Sequence, residues 1–284
     1  MIKLVLSDMD DTIVPLGAPG VSERMRAAVH ACLDAGVRFA PATGRDLDGL
    51  ERFFRHDEAC YATMLASNSK VITLDGELIH EVFLSTDDVV RVCEMLAEEP
   101  DCLCVYRVDD EDYVYGAGGI GFGELVDIFA PTVKLTNKLP EARVVALSAM
   151  HGATPRRQAE VRQMIEGACP GLECLSPALG VFDVMPRGWN KASGMQVLMD
   201  KMGITAEEVC AFGDSENDVP MLLACPNSVA VANAMPEARK AARFHIGACA
   251  DDAVADALLD IAEAARLGTM PAFMLSQNAT RHQG

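Results

Sequence analysis

The sequence predicts an α/β fold, a doubly wound and mostly parallel core sheet into which a smaller α+β domain is inserted. Apolar runs of strand length alternate with amphipathic helix patterns up to about residue 83 and again from about residue 185. Between these two parts, hairpin signals and a different order of strands and helices indicate α+β structure. Several core strands end in polar residues, at the edge where open α/β sheets bind ligands. We therefore predict a core of residues 1–83 and 185–284 around an insert of residues 84–184.

The composition limits the classes of function. The chain has 284 residues, 50% of them hydrophobic, which is enough for a large core in one or two domains. Its formal charge of -18 opposes the binding of nucleic acids and anionic membranes by electrostatic repulsion. A small anionic substrate can still bind where a local cation offsets this repulsion. No apolar run approaches the about 20 residues that cross a bilayer. We predict a cytoplasmic protein, a monomer or small homo-oligomer, with no nucleic-acid or membrane partner.

The ten cysteines are scattered through apolar stretches and form no Cys-x-x-Cys pair. Buried, reduced thiols are therefore predicted rather than a zinc site or a redox pair.

Each element of the first core part has a local signal. The run Ile2 to Leu6 is short and apolar except at Lys3, which favours a strand buried on both faces. Ser22 is a predicted N-cap, Gly36 ends the helix that follows, and Asp75-Gly76 is a hairpin turn signal. The predicted elements are a helix to about Ala35 that buries Met25, Ala28, Val29 and Cys32, a strand at 37–41, a helix at about 46–54, a strand at 64–68 and the hairpin 71–83.

The insert has helix-start and strand signals in a different order. Ser85 and the pair Thr154-Pro155 begin predicted helices, the first of which runs to about Glu98. The other predictions are a strand pair within 102–115, a glycine-rich connection at 116–123, a helix at 124–129, a strand at 144–148 and strands near Leu172 and Val181.

The second core part returns to alternating helices and strands. We predict a helix from about Asn190 to Met202, a strand at 209–214, a loop and helix at 215–225, and strands at 229–232 and 244–246. From about Met270 the sequence lacks periodicity, and a frayed or docked arm is expected.

Asp8, Asp10 and Thr12 follow the first predicted strand at alternating positions. Alternate side chains of an extended chain share one side, so both carboxylates can face the crevice at the end of the sheet. Two close carboxylates repel unless a cation or proton lies between them, and an oxygen-liganded metal ion is therefore expected. Taken alone, the stretch is equally compatible with a solvated acidic loop.

Polar residues also lie at the ends of three other predicted elements. They are Thr43-Gly44-Arg45, Lys191, and the stretch from Gly213 to Asp218. Each has a simpler interpretation. The threonines can cap turns, Lys191 and Arg45 can be surface charges, and Asp218 can cap the helix that follows it.

With these clusters in this order, the chain resembles the haloacid dehalogenase-like phosphohydrolases, and more narrowly their Cof-type members. The resemblance covers all but the last few residues and rests on Asp8-x-Asp10-x-Thr12, Thr43-Gly44-Arg45, Lys191, Gly213-Asp214-x-x-Asn217-Asp218 and the position of the insert. It implies a Rossmann-like core with an α+β cap domain. It also implies a phosphatase that uses Mg²⁺ and hydrolyses a small phosphomonoester, either a sugar phosphate or a phosphorylated cofactor or metabolite.

The resemblance implies a role for each residue. Asp8 would be the nucleophile that forms an aspartyl-phosphate, and Asp10 the general acid and base. Thr43 and Lys191 would act with them by holding phosphoryl oxygens. The predicted substrate-binding residues are Thr12, Gly44, Arg45 and Asn217, and the predicted metal ligands are Asp8, Asp10, Asp214 and Asp218.

Three stretches depart from the family pattern. Asp11 stands where relatives commonly have glycine and adds a third carboxylate. Asn68-Ser69-Lys70 stands where Asn-Gly-Ala is usual, so a turn that normally uses glycine must accept a side chain. The stretch Gly247 to Asp252 lacks the Asn-Asp-Gly-Val of relatives, and no binding role is predicted for it.

Alternatives to simple hydrolysis remain open at this point. A dehalogenase expels halide and needs no acid, so Asp10 argues against that reaction. A phosphosugar mutase or other phosphotransferase, and a regulatory protein that binds phosphate without turnover, are the alternatives. Candidate polar contacts to the substrate, in the insert or just after it, are Arg107, Lys134, Arg143 and Arg187.

Overall fold

The computed structural model describes residues 1–108, 111–116 and 133–281, apart from the side chains of residues 177, 178 and 279–281. The predicted helix 124–129, and the predicted glycine-rich connection beyond Gly116, lie outside the described residues. The chain divides into two compact units, which we call the core unit (Met1–Glu81 with Asn190–Gly284) and the insert unit (Val82–Trp189).

The bounds of the elements are as follows. The described strands are β1 Leu4–Ser7, β2 Arg38–Pro41, β3 Met64–Ala66, β4 Val71–Leu74, β5 Glu77–Glu81, β6 Leu103–Val108, β7 Glu111–Tyr115, β8 Lys134–Leu135, β9 Ala146–Met150, β10 Leu172–Ala178, β11 Val181–Pro186, β12 Val209–Gly213, β13 Asn227–Ala230 and β14 Phe244–His245. The described α-helices are α1 Glu23–Asp34, α2 Leu47–Phe53, α3 Thr86–Ala97, α4 Pro155–Ala168, α5 Lys191–Met202, α6 Val219–Ala224, α7 Pro236–Ala241, α8 Ala253–Leu267 and α9 Ala272–Arg281.

The core unit contains a parallel sheet of five strands in the order β14-β13-β12-β1-β2. Every residue of β1 and β12 is buried, which explains why both strands are apolar on both faces. The chain leaves β1 for β2 on one side, while β12 pairs with β1 on the other. The order therefore reverses beside β1, and the ends of β1 and β12 form the switch point where such sheets bind ligands. The predicted α/β fold with a parallel core sheet and an inserted α+β part is confirmed.

Helices α1 and α5 of the core unit have capping residues at their ends. The Ser22 hydroxyl accepts a hydrogen bond from the backbone N–H of Met25 at 2.9 Å, and α1 buries the four predicted residues. Asn190 and Ser193 form a reciprocal capping box at the start of α5. Gly203 then ends α5 with a φ of +64°.

The strand β3 is shorter than predicted and belongs to a separate antiparallel sheet of the order β3-β4-β5. It stops at Ala66 because Ser67, Asn68 and Ser69 have φ values of 50°, 55° and 65°. The turn that commonly uses glycine is thus made here by three residues with side chains. The hairpin turn at Asp75 is confirmed.

The insert unit has a mixed sheet in the order β10-β11-β9-β6-β7-β8, in which only the β7–β8 pair is parallel among the described strands. Helices α3 and α4 contribute to its own hydrophobic core through Val92 and Ile165, which pack with Phe182 of β11. The predicted strand at 144–148 is displaced, because Val144 forms an isolated bridge with Leu84 and β9 extends to Met150.

The predicted tail without periodicity is docked, as one of the two alternatives had it, but it forms a helix, α9, and the prediction of an aperiodic arm is wrong. The Asp260 carboxylate accepts hydrogen bonds from the backbone N–H groups of Ala272 and Phe273, both at 2.9 Å, which caps the new helix. The Gln277 side chain then bonds both the N–H and the carbonyl of His245, at 3.0 and 2.7 Å, and so covers the edge strand β14. These tertiary contacts stabilise a helix that the local sequence does not predict.

Two other predictions concern the whole chain. All ten cysteines are free and buried, as predicted. Among the described residues, none of the helices has the length and apolar character that crossing a membrane requires.

Candidate active site

Three buried carboxylates meet at the ends of β1 and β12. Asp8 directly follows β1 and continues its pairing, because its N–H donates to the Phe212 carbonyl at 3.0 Å. Asp214 directly follows β12, and Asp218 ends the short 3-10 turn after it. One carboxylate oxygen from each of these three residues lies within 4.8 Å of the other two. The parallel register thus assembles residues that are far apart in the sequence.

Lys191 lies among these carboxylates and is itself buried, with 1% of its side chain exposed. It is the first residue of α5, and its Nζ lies 2.5 Å from Asp8 Oδ1 and 2.6 Å from Asp218 Oδ1. Burial by itself would lower the pKa of Lys191, but the Asp218 and Asp8 carboxylates raise it above its ordinary value. The lysine is therefore charged, and the interpretation of Lys191 as a solvated surface charge is wrong.

The four buried charges do not balance one another. In their ionised forms, Asp8, Asp214 and Asp218 would carry three negative charges against the one positive charge of Lys191. Burial raises the pKa of Asp8, against the opposing effect of Lys191, and burial raises the pKa of Asp214 to about 6. The excess of buried carboxylate oxygen is the donor set that a hard divalent cation requires, so the residues fit a divalent metal site.

Asp218 uses both carboxylate oxygens in hydrogen bonds. Oδ1 accepts from Lys191, and Oδ2 accepts from the backbone N–H groups of Asp214 and Ser215, both at 3.0 Å. Gly213 permits this arrangement, since a Cβ atom at that position would lie 2.6 Å from the Cβ and Cγ atoms of Asp218. Asp218 therefore holds Lys191 and the Asp214 loop in place, and the structure favours this supporting role over direct ligation of a metal.

Thr12 lies against Asp214. Its hydroxyl is buried and donates to Asp214 Oδ1 at 2.7 Å. The contact favours the ionised form of Asp214, against the effect of burial. Thr12 stays a predicted substrate-binding residue, and in this structure its hydroxyl orients the Asp214 carboxylate.

Asp10 lies apart from the three buried carboxylates. Its side chain is 55% exposed, and Arg45 donates two hydrogen bonds to it, from Nε at 2.9 Å and from a terminal nitrogen at 2.6 Å. The Arg45 guanidinium also lies 3.9 Å from the centre of the Phe53 ring. This paired, stacked geometry fixes the direction of the Asp10 carboxylate. Arg45 is thus a partner of Asp10 in this structure.

The extra carboxylate of Asp11 lies on a tight turn after Asp10. Asp11 has a φ of +56°, a conformation that glycine adopts more readily. Its Oδ1 accepts a hydrogen bond from the backbone N–H of Leu16 at 3.0 Å. The side chain thus supports its own loop, while its charge still raises the pKa of Asp214 to a small extent.

Thr43 and Asn217 are held by local contacts. The buried Thr43 hydroxyl accepts from the Arg45 N–H at 3.1 Å, and Gly44 is exposed between these two residues. The Asn217 side-chain oxygen accepts from the Ser215 hydroxyl at 2.8 Å. Asn217 stays a predicted substrate-binding residue, while the side chain that contacts Lys191 here is Asp218.

Sequence reasoning missed Asn233. Its amide donates to the Asp11 carbonyl at 2.7 Å, and its side-chain oxygen accepts from the Cys249 N–H at 2.9 Å. It joins the loop after β1 to the segment before α8. Its position three residues after β13, close to a strand end, is a signal that could have identified it.

The four candidate cations of the insert unit all have partners within that unit. Arg107 pairs with Asp112 through two hydrogen bonds, at 2.9 and 2.8 Å. The remaining three contact Glu111 (from Lys134), the Phe83 ring (from Arg143) and the carbonyls of Pro170 and Leu172 (from Arg187).

Comparison with known families and proteins shows which family this chain resembles. The sequence pattern of the haloacid dehalogenase-like hydrolases matches residues 5–258. A putative phosphatase of Bacillus subtilis, YxeH, is 26% identical over 92% of this chain and 98% of its own length. An HMP-PP phosphatase of Cronobacter sakazakii is 27% identical over 84% of this chain and 86% of its own length.

Solved structures show the same fold. SMU.1108c from Streptococcus mutans superposes with a TM-score of 0.80 and 22% identity, over 91% of this chain and 98% of that one. The subclass IIB sugar phosphatase BT4131 superposes with a TM-score of 0.77 and 18% identity, over 90% and 97% of the two chains.

Proposed function

This chain belongs to the haloacid dehalogenase-like hydrolases and is a phosphatase of the Cof type, and from that membership we propose that it is a magnesium-dependent enzyme that hydrolyses small phosphomonoesters through an aspartyl-phosphate on Asp8. The observation that carries the proposal is the buried contact of Asp8 with Lys191, beside Asp214 and Asp218. A nucleophile and a fixed positive charge lie together there, among more carboxylates than the lysine can neutralise.

Asp8 is the proposed nucleophile. One of its carboxylate oxygens attacks phosphorus, and the bond between phosphorus and the leaving oxygen breaks. Lys191 lies at hydrogen-bond distance from Asp8, so its charge acts where negative charge develops on the phosphoryl oxygens. Because Asp218 holds Lys191 rigidly, little rearrangement is needed during the reaction.

Asp10 is the proposed general acid and base. It gives a proton to the leaving oxygen, and then removes a proton from the water that attacks the aspartyl-phosphate. That second attack breaks the bond between phosphorus and Asp8 and releases inorganic phosphate. The exposed side chain of Asp10 suits this task, and Arg45 orients it.

Magnesium is the proposed metal, held by the Asp8 carboxylate, the Asp10 backbone carbonyl and Asp214, with Asp218 in support. When bound, it supplies positive charge that offsets the repulsion between these carboxylates and a phosphate. Thr43, at the neighbouring strand end, is proposed to donate its hydroxyl to a phosphoryl oxygen, with Gly44 and Asn217 lining the same substrate site.

The proposed substrates are sugar phosphates and phosphorylated cofactors or metabolites. Similarity to an HMP-PP phosphatase and to a sugar phosphatase extends over 84% and 90% of this chain, respectively, which supports small phosphorylated metabolites as the substrate class. The reaction could instead transfer the phosphoryl group to a sugar. Nothing in the described residues favours transfer over hydrolysis, so hydrolysis is the function we propose.

The test is phosphate release from a panel of sugar phosphates, phosphorylated cofactors and nucleotides, with magnesium and with chelator. Wild type should release phosphate from at least one compound only with magnesium, and Asp8→Asn should lose at least about 1,000-fold in kcat. Asp11→Asn is the matched control, because it changes a neighbouring carboxylate that bonds Leu16 instead of Lys191. Equal activity of wild type and Asp8→Asn would refute the mechanism. Tight phosphate binding without turnover would instead support a regulatory protein.

A further inference from the structure

A second group of metal-ligating side chains lies in the core unit, apart from the carboxylates after β1 and β12. His30 is on α1, and Asp57 and Cys60 bracket a 3-10 turn, Glu58–Cys60, after α2. One ligand atom from each of these three residues lies within 4.8 Å of the other two. We propose that His30, Asp57 and Cys60 together bind one divalent metal ion of the kind that accepts sulfur ligands, such as Zn²⁺.

The three side chains already converge. His30 Nε2 lies 2.9 Å from Asp57 Oδ2, and Cys60 Sγ lies within 4.8 Å of the ligand atoms of both residues. Ligands of one tetrahedral zinc ion lie about 3–4 Å apart, since zinc binds nitrogen and oxygen at about 2.0–2.2 Å and sulfur at about 2.3 Å. Small side-chain movements are therefore enough to place a metal ion between them, with water as a fourth ligand.

Rigid backbone holds two of the ligands. Asp57 N–H donates to the Phe54 carbonyl at 3.1 Å, and Cys60 N–H donates to the Asp57 carbonyl at 2.9 Å. This tight turn places the two side chains, three residues apart, beside each other. Cys60 is fully buried, whereas His30 is 47% exposed, so the site has an open side from which an ion can enter.

The charges at this cluster allow a dication. Arg26 Nη1 lies 3.4 Å from Asp57 Oδ2 and also pairs with Glu23. With Cys60 as thiolate and Asp57 ionised, the two negative charges exceed the one positive charge of Arg26. Burial and the Asp57 charge raise the pKa of Cys60 to about 12, so the thiol keeps its proton until a metal replaces it. Binding forms a metal–sulfur bond and releases that proton to solvent.

The ligand chemistry distinguishes this cluster from the candidate active site. Sulfur and imidazole select zinc-type ions, whereas the all-carboxylate group of Asp8, Asp214 and Asp218 suits magnesium. The proposal is independent of the proposed phosphatase reaction, because none of its residues takes part in that reaction.

The test is titration of the metal-stripped, full-length protein with Co²⁺, with magnesium in large excess to compete for the carboxylate site. A tetrahedral cobalt–thiolate site gives strong visible bands and a sulfur-to-cobalt charge-transfer band, whereas cobalt bound only by carboxylates and water absorbs weakly. We expect saturation at one Co²⁺ per chain, with release of one proton, and displacement of cobalt by Zn²⁺.

The controls separate this site from the other thiols and from folding. Cys60→Ser should lose the charge-transfer band, and the exposed His30→Ala should keep the fold and weaken cobalt binding by about 10–100-fold. Cys32→Ser, which removes a different buried thiol, on α1, and Asp8→Asn should both leave the spectrum unchanged. Absence of the charge-transfer band in wild type, or its persistence in Cys60→Ser, would overturn the proposal.

Discussion

Lys191 and Asp218 form a 2.6 Å ion pair in which neither side chain has appreciable contact with solvent. Asp218 keeps its other oxygen on the two backbone N–H groups at Asp214 and Ser215, so the pair ties the start of α5 to the loop after β12. Burying these charges is costly unless each remains fully hydrogen-bonded. The pair therefore positions the lysine at Asp8. Loss of either partner would leave the other as an uncompensated buried charge and would destabilise this region.

Lys191→Met is expected to lower the free energy of unfolding by about 3–5 kcal/mol, because it leaves buried carboxylates without their cation. Urea unfolding in magnesium-free buffer measures the loss. The matched control is Lys3→Met, which breaks an exposed pair with Glu208 and should change stability by less than about 1 kcal/mol. Equal small losses in both variants would show that the buried pair contributes nothing particular to stability.

The pH dependence of stability in metal-free protein should carry a signature of Asp214. Its pKa is raised to about 6 in the folded state, mainly by burial, against about 3.9 in an unfolded chain. The folded protein thus binds this proton more tightly than the unfolded chain does. Protonated Asp214 therefore adds to the free energy of unfolding below about pH 4, and this stabilisation is lost as the pH rises through about 6. The loss is on the order of 2 kcal/mol.

Urea unfolding between pH 4 and 7.5 tests this sign by comparing wild type with Asp214→Asn, which should lack that part of the slope. Asp34→Asn, at the exposed end of α1, is the control and should follow wild type. A steeper loss of stability toward high pH in Asp214→Asn than in wild type would contradict the assignment.

Gly213→Ala should disturb the site through packing alone. Its new methyl group would meet Asp218 at 2.6 Å, a distance that requires the carboxylate to move. We expect a loss of about 1–3 kcal/mol in stability and a fall in kcat of at least about 10-fold. Gly167→Ala is the control, since that helical position has open space and alanine should stabilise it by about 0.5–1 kcal/mol. Normal phosphatase activity of Gly213→Ala would refute the need for this close approach.

Asn233 should act as a positioning residue through its two hydrogen bonds. Asn233→Asp loses the donor to the Asp11 carbonyl but keeps an acceptor for the Cys249 N–H, whereas Asn233→Ala loses both contacts. Both variants should lower kcat by about 10-fold with a smaller change in KM, because the loop that carries Asp10 and Asp11 is less well held. Steady-state kinetics with magnesium, alongside thermal unfolding, separates this effect from simple destabilisation. Unchanged kcat in Asn233→Asp would exclude the positioning role of the Asp11 contact.

Much of the fold follows from local signals. A capping residue such as Ser22 predicts a helix start, because a side chain that accepts the free backbone N–H groups works with little help from the rest of the protein. The continuous apolar runs predict the buried strands β1 and β12 for a similar reason. Helix α9 was missed since its cap comes from Asp260 and its edge contacts from β14, neither of which is visible in the local sequence.

The sequence by itself determined the fold class, most of the element order and the candidate residues Asp8, Asp10, Lys191, Asp214 and Asp218. The tertiary structure alone decided which of them meet: Lys191 contacts Asp8 across 183 positions and Thr12 contacts Asp214 across 202, while Asp10 lies with Arg45 instead. Residue types and spacing indicate which chemistry is available at each strand end. Sheet register and burial determine which charges share a low-dielectric site, and therefore which side chain supports another and which remains exposed to solvent.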